Sequence, residues 1–442
     1  MPHSHRTIER KALPVPSSRL SRLARLGGLA SSIAGNVAAE MGRQLARGER
    51  PRIEDVLLTP ANAARVADQL ARMRGAAMKV GQLISMDAGD MLPPELADIL
   101  ARLRSDAHHM PWPQLKRVLI HAWGADWRSR FATFDTRPVA AASIGQVHRG
   151  RTLDGRDVAI KVQYPGVRRS IDSDVNNVAS LLRIAGLVPR GVDVAPMLAE
   201  AKRQLHEEAD YEREGRCLRT FGTLLADRPE FLVPALFADL TTPTVLAMSF
   251  VEGRPVDDLV TAPQAVRDRV MTLLIGLLFR ELFEFRLMQT DPNFANYRYA
   301  PATGQVILLD FGATRAFPEA FADLWRRLLH AGLAGERPAI RTIAHEIGFL
   351  AGDTPARLEE AMLAMFEMSL EPLRQHEPFD FGASDLAVRM REAGMAMAAD
   401  HEYFRIPPMD TLFLQRKFGG MYLLATRMRA RVDLRALVEP HL

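Results

Sequence analysis

The chain has 442 residues, 25% of them charged and 48% hydrophobic, enough apolar sequence to bury a large core in two or three lobes rather than one. A single cysteine, Cys217, excludes an intramolecular disulfide and agrees with a reducing compartment. The net charge of +4 is small for this length, and no nucleic-acid partner is expected from it.

The basic residues are unevenly placed. Arg6, Arg10, Lys11, Arg19, Arg22 and Arg25 are opposed only by Glu9 among the first 25 residues, so residues 1–55 read as a basic arm. Such an arm suits an anionic lipid surface as well as it suits a solvated tail. Leu26, Ala30, Ile33 and Val37 then recur at helical spacing, the pattern of an interfacial amphipathic helix. The apolar stretch Leu26–Ala39 is too short for a membrane span, which needs roughly twenty residues. The arm is long and contains Glu9, and no secretory cleavage site follows it; in a eukaryote the Arg/Ser-rich stretch Ser17–Ser32 would serve as a mitochondrial presequence. Heavy Ala and Arg usage points instead to a bacterium.

Pro51–Thr59 reads as a linker into a helix over about Ala61–Met86, whose apolar stripe is Val66, Leu70, Met73, Ala77, Val80 and Ile84. Lys79 and Gln82 fall on the opposite side, which periodicity alone reads as a solvated face. Helices continue through Trp123, and a smaller lobe is expected to begin near Phe131.

That lobe opens on Ala140-Ala141-Ala142-Ser143-Ile144-Gly145-Gln146-Val147, in the place where a kinase has G-x-G-x-x-G-x-V. The third glycine and the valine are kept as Gly145 and Val147. Ala140 and Ala142 replace the first two glycines, and their Cβ atoms disfavour positive φ, so the segment is expected to be stiffer and to meet phosphates differently. Asp154-Gly155 signals a hairpin between this strand and Val158-Ala159-Ile160-Lys161. Lys161 then sits where a kinase lysine holds the α/β-phosphates. Its partner acid is ambiguous by position, because Glu200, Glu207, Glu208 and Glu214 all compete.

Val245–Gly253 reads as a strand running into a turn at the hinge between lobes; in a kinase fold the backbone here binds adenine, which makes Met248, Ser249, Phe250 and Val251 candidates through their main chain. A helix over Val266–Arg286, apolar on most sides, is expected to be the buried centre of the larger lobe. Asp291 and Asn296 form a D-x-x-x-x-N, and Asp310-Phe311-Gly312 follows the buried strand Val306–Leu309. In the phosphoryl-transfer template Asp291 takes the acceptor's proton, while Asn296 and Asp310 bind metal. After Gly312 the chain turns helical from Pro318 to His330 with no A-P-E and no segment long enough to dock a protein substrate.

The Ala-rich segment, Val158 to Lys161 with Gln163-Tyr164-Pro165-Gly166-Val167, the run Glu208–Glu214 and Lys79-Val80-Gly81-Gln82 resemble the UbiB family of atypical kinases. The wording Gln289-Thr290-Asp291-Pro292-Asn293 is similar to its mitochondrial and alphaproteobacterial branch, linked to coenzyme Q biosynthesis. The resemblance implies an α+β, protein kinase-like two-lobed fold with a helical N-terminal extension carrying K-x-G-Q. The spans are 56–128 for that extension, 129–253 for the N-lobe and 254–442 for the helical C-lobe. It pairs Glu214 with Lys161, and it sets Lys79, Gly81 and Gln82 over the nucleotide cleft against the acidic pair Glu208 and Asp210.

The implied activity is that of an Mg-dependent ATPase or small-molecule phosphotransferase, binding ATP or ADP and supporting ubiquinone biosynthesis, in the cytoplasm or peripherally on an inner membrane (the mitochondrial matrix in a eukaryote). Expected partners are an anionic membrane surface, a quinone-precursor lipid and coenzyme Q biosynthetic proteins. Two alternatives stay open: a small-molecule kinase of the aminoglycoside or choline type, and a nucleotide-dependent scaffold without catalysis.

Overall fold

The computed structural model describes residues 109–184, 195–398 and 407–442. The basic arm, the Leu26–Ala39 stretch and the helix expected to carry Lys79, Gly81 and Gln82 lie outside the described residues. In chain order the first elements are Trp112–Trp123 (α1), Phe131–Phe134 (β1), Ala140–Ala142 (β2), Gly145–Thr152 (β3), Asp157–Gln163 (β4) and Val167–Ile184 (α2). Next come Ala195–Glu208 (α3), Tyr211–Leu224 (α4), Phe231–Leu232 (β5), Val245–Ser249 (β6), Arg254–Pro255 (β7) and Gln264–Arg280 (α5). They are followed by Leu287–Gln289 (β8), Tyr297–Ala300 (β9), Gln305–Leu308 (β10), Thr314–Ala316 (β11), Glu319–Ala334 (α6), Arg337–Ile347 (α7) and Ala356–Arg374 (α8). The chain closes with Phe379–Asp380 (β12), Leu386–Ala398 (α9), Met409–Met428 (α10), Arg431–Val432 (β13) and Leu434–Val438 (α11). Contacts divide the chain into two compact units, one running to Gly215 and including Leu236–Phe250, the other made of Arg216–Ala235 and Val251–Leu442.

The first unit is built on a five-stranded sheet in the order β1-β3-β4-β6, with β2 also paired to β3, and every pairing is antiparallel. Alternation along β4 explains its two faces. Val158, Ile160 and Val162 are fully buried on one, while Ala159, Lys161 and Gln163 share the other. Under β1 lies an aromatic cluster in which Trp123, Trp127, Phe131 and Phe134 meet tilted or edge-on, with ring centroids 5.0 Å apart for Trp127 and Phe134. The Trp123 indole N–H donates to the Leu240 carbonyl at 2.9 Å, so the one polar atom of that ring is satisfied.

The second unit carries a four-stranded sheet, β5-β10-β9-β7, and a separate β8–β11 pair. Arg216–Ala235 groups with this unit because β5 pairs in parallel with β10, although in sequence it interrupts residues 129–253. Helix α5 buries Val270, Met271, Leu274, Ile275, Leu277, Leu278 and Phe279, as its all-round apolar sequence requires. It continues as a wide π-turn over Glu281–Phe285 and ends at Arg286, whose φ of 51° is left-handed. Helices α6, α7 and α8 enclose a satellite core of Leu328, Ile340, Ile343, Ala344, Ile347 and Leu363. Among the described residues no helix is long and apolar enough to cross a membrane.

Candidate functional site

In the first unit Lys161 meets Glu214 from the competing set. Its Nζ donates to both carboxylate oxygens of Glu214, at 2.8 and 2.9 Å, and both residues are buried. The Tyr211 ring lies 5.2 Å from the same ammonium. Glu214 stands in the first turn of α4, where a carboxylate is favoured by the helix dipole. Asp210 fixes that turn, accepting from the Arg213 N–H at 2.9 Å while its carbonyl accepts from the Glu214 N–H at 3.0 Å. Glu200 and Glu207 instead pair with Arg203. Glu208 is buried and accepts from the Ser143 hydroxyl at 3.3 Å, joining α3 to the turn between β2 and β3.

The Ala-rich segment is a tight hairpin. Ala142 pairs with Gly145 and Ala140 with Val147, which leaves Ser143 and Ile144 as the turn and puts Ala140 and Ala141 at the surface. Gly145 is required by close approach, since a Cβ there would lie 2.5 Å from the Val162 carbonyl oxygen and 2.7 Å from the Tyr211 hydroxyl. At the far edge of the sheet Met248 pairs with Ala159 and Ser249 with Val158. The Phe250 N–H donates to the Asp157 carbonyl at 2.9 Å and its ring lies 4.1 Å beneath the Arg149 guanidinium. The Phe250 N–H is thereby committed to β4, and the second unit resumes at Val251.

In the second unit the segment after β8 is pinned from several sides. The Thr290 N–H and hydroxyl both donate to the Ala313 carbonyl, at 3.1 and 2.8 Å, tying the residue before Asp291 to the residue after Gly312. The Asp291 carboxylate accepts from the Asn293 N–H at 3.2 Å, and its carbonyl accepts from the Asn296 side-chain amide at 3.3 Å. Asn296 in turn accepts from the Leu309 N–H at 3.0 Å, and Asp310 accepts from the Gly312 N–H at 2.9 Å. Phe311 is buried against Phe221, with centroids 4.8 Å apart. Asp291, Asn296 and Asp310 are thereby held together by backbone bonds across β8–β11 and β9–β10.

These donors fit a hard divalent cation. Asn296 commits its amide N–H to Asp291, which leaves Oδ1 as its acceptor, and Asn296 and Asp310 line one small cavity. The described residues hold no cluster of three His, Cys, Asp or Glu side chains, but magnesium on a nucleotide is held by one or two protein oxygens with waters and phosphates completing its shell.

Sequence reasoning missed what lies on the other side of that cavity. Glu281, Gln289, Tyr297 and Lys417 line it too, and all four are buried. Lys417 sits on α10 in phase with the core residues Phe413, Leu414, Met421 and Leu424, so a charge at a core-phase position was the available signal. Burial pushes the Glu281 carboxyl up against the opposing pull of Lys417. For Lys417 burial acts downward but is outweighed by Glu281 and Tyr297, so the ammonium is held above its ordinary range. Three acceptors surround the ammonium, the Gln289 carbonyl, the Gln289 side-chain oxygen and the Tyr297 hydroxyl.

Comparison with known proteins gives the family. Residues 102–344 match the ABC1 atypical kinase-like domain. A Caenorhabditis elegans protein named atypical kinase coq-8, mitochondrial, is 39% identical over 95% of this chain, which spans 56% of that relative's length. The Saccharomyces cerevisiae atypical kinase COQ8, mitochondrial, is 38% identical over 97% of this chain and 86% of its own. Among solved structures, Rv3197 of Mycobacterium tuberculosis in complex with erythromycin superposes with a TM-score of 0.60 at 26% identity, covering 86% of this chain and 96% of that one. The chain belongs to the ABC1 family of atypical kinases, the UbiB family that its motifs resemble.

Proposed function

We propose that this atypical kinase binds Mg-ATP and transfers or hydrolyses its γ-phosphoryl group in support of coenzyme Q biosynthesis, and that it is not a protein kinase acting in trans. The buried Lys161–Glu214 pair is the observation that carries the reading. Taking both charges out of water contributes little to stability, so a pair of this geometry is best accounted for by a ligand that the ammonium orients. Lys161 is assigned to the α/β-phosphates. Asn296 and Asp310 would hold magnesium, which neutralises charge on the β- and γ-phosphates.

Asp291 accepts the proton of the attacking hydroxyl or water as the new oxygen–phosphorus bond forms; the bond to the β-phosphate oxygen breaks, and ADP leaves with that electron pair. The short link between Gly312 and α6, filled by β11, supports a small acceptor rather than a docked peptide. Ser143, joined to Glu208, is assigned to the phosphates together with the main chain of Ala140–Val147. The basic arm supports attachment to an anionic membrane, where a polyprenylated quinone precursor would reside.

The test is phosphate release by the full chain, with and without anionic liposomes and quinone-precursor phenols. Turnover abolished in Asp291→Asn is the expected result. Nucleotide binding without turnover under every condition would favour the non-catalytic scaffold. Liposome pelleting that weakens with salt is expected of the full chain, and equal pelleting by a version starting at Pro51 would remove the arm from the account.

A further inference from the structure

Lys417 grips both ends of the segment that carries Asp291 and Asn296. Its Nζ donates to the Gln289 carbonyl at 2.6 Å and to the Gln289 side-chain oxygen at 3.1 Å, two residues before Asp291. It also donates to the Tyr297 hydroxyl at 2.8 Å, one residue after Asn296. All three ammonium hydrogens thus go to this segment, while Glu281 is only an ion-pair neighbour at 3.5 Å. Were the lysine present to neutralise Glu281, the carboxylate would take the shortest bonds. Instead its Oε2 makes no hydrogen bond, and its Oε1 accepts from the Gln289 N–H at 3.3 Å, again on the same segment.

A second contact from the same helix face acts without charge. Gly420, one turn beyond Lys417, lies so close to Pro292 that a Cβ on it would stand 2.2 Å from the proline Cβ. A third contact reaches the strand after Asp310-Phe311-Gly312, where the Arg315 guanidinium donates to Asp410 at 2.5 Å and covers the Phe413 ring at 4.5 Å. Helix α10 therefore touches both stretches of chain that bear the candidate metal and proton-transfer residues.

The geometry points to Lys417 as a positioning residue for phosphoryl transfer: its ammonium, backed by the Gly420–Pro292 contact, sets the placement of Asp291 and Asn296. The inference rests on the reading of those two residues given above. The cavity that Lys417 shares with Asn296 and Asp310 shows how short the path is. A displacement of about 1 Å at a reacting group costs on the order of a hundredfold in rate, so a grip on the ends of the segment is enough to matter.

The experiment is steady-state ATP turnover and Mg-dependent ADP affinity of the full chain, wild type against Lys417→Met/Glu281→Gln and against Gly420→Ala. Neutralising both charges together avoids a stranded buried carboxylate, so the double variant is expected to fold with its thermal midpoint within about 5 °C of wild type. Its kcat should fall about a hundredfold while KM for ATP moves less than about threefold, a split that loss of packing alone would not produce. Gly420→Ala, which favours the helix but displaces Pro292, should lower kcat by about tenfold or more and serves as the probe if the double variant does not fold. Variants that keep wild-type kcat and Mg-dependent affinity overturn the inference while leaving the functional reading intact. A wild type that neither binds nor turns over nucleotide overturns both.

Discussion

Lys161 and Glu214 show how stability and function separate at a single pair of side chains. Glu214→Ala would take from the buried Lys161 ammonium the carboxylate to which it donates twice, which costs about 3–5 kcal/mol, so the thermal midpoint of the first unit should drop sharply. Lys161→Met/Glu214→Leu, with both charges gone, should recover most of that loss and still fail to turn over ATP. Full activity in the stable double variant would show the pair to be structural.

His148 gives the first unit a pH dependence of predictable sign. In its neutral form it donates Nδ1–H to the Asp135 carbonyl at 2.8 Å and accepts at Nε2 from Gln146, whose own oxygen accepts from the Met110 N–H. Burial holds its pKa down at about 4, from an ordinary 6.5. Between those values the unfolded chain binds more protons, so the contribution is complete above pH 6.5 and is lost as pH falls toward 4. At pH 5.5 the loss is about 1.4 kcal/mol. Tryptophan fluorescence reports it, since Trp112, Trp123 and Trp127 lie in this unit. His148→Gln should flatten the difference between pH 7.5 and 5.5, and an unchanged slope would reject the assignment.

At the scale of elements the β2–β3 hairpin carries the clearest expectation. Ala140 and Ala142 are paired, extended residues, so replacing either by Gly should loosen the strand by about 0.5–1 kcal/mol and shift the relative affinities for ADP and ATP. Unchanged affinities in both variants, measured by calorimetry, would remove the hairpin from the phosphate site.

The elements around this hairpin were legible because each follows a local rule. Asp154-Gly155 turns β3 into β4, with Gly155 at a φ of 89°, and strand alternation sets Lys161 apart from Val158, Ile160 and Val162. The apolar run of α5 foretold a buried helix. Rules of that kind stop at distance. Which acid reaches Lys161 depends on a turn 53 residues away, and the grip of Lys417 on Gln289 spans 128 residues, so neither leaves a local period. Gly145 was legible as a kept glycine, but the close approach of the Val162 carbonyl, which leaves no room for a Cβ there, was not. Nor does sequence announce the β8–β11 pair, which has three residues on each side and is decided by what it packs on.

Across the whole molecule the account requires a nucleotide to be bound through magnesium. The family and the fold lead to a nucleotide, and the proposed magnesium rests most directly on Asp310. Losing one carboxylate from a cation held by few protein oxygens should abolish Mg-dependent binding without unfolding a chain whose Asp310 is only half-buried. The deciding measurement is the thermal shift of wild type and Asp310→Asn with Mg-ATP at a hundred times its dissociation constant. Wild type should gain about 2.7 kcal/mol and Asp310→Asn should show no Mg-dependent gain; a full shift in Asp310→Asn, or none in wild type, would contradict the account.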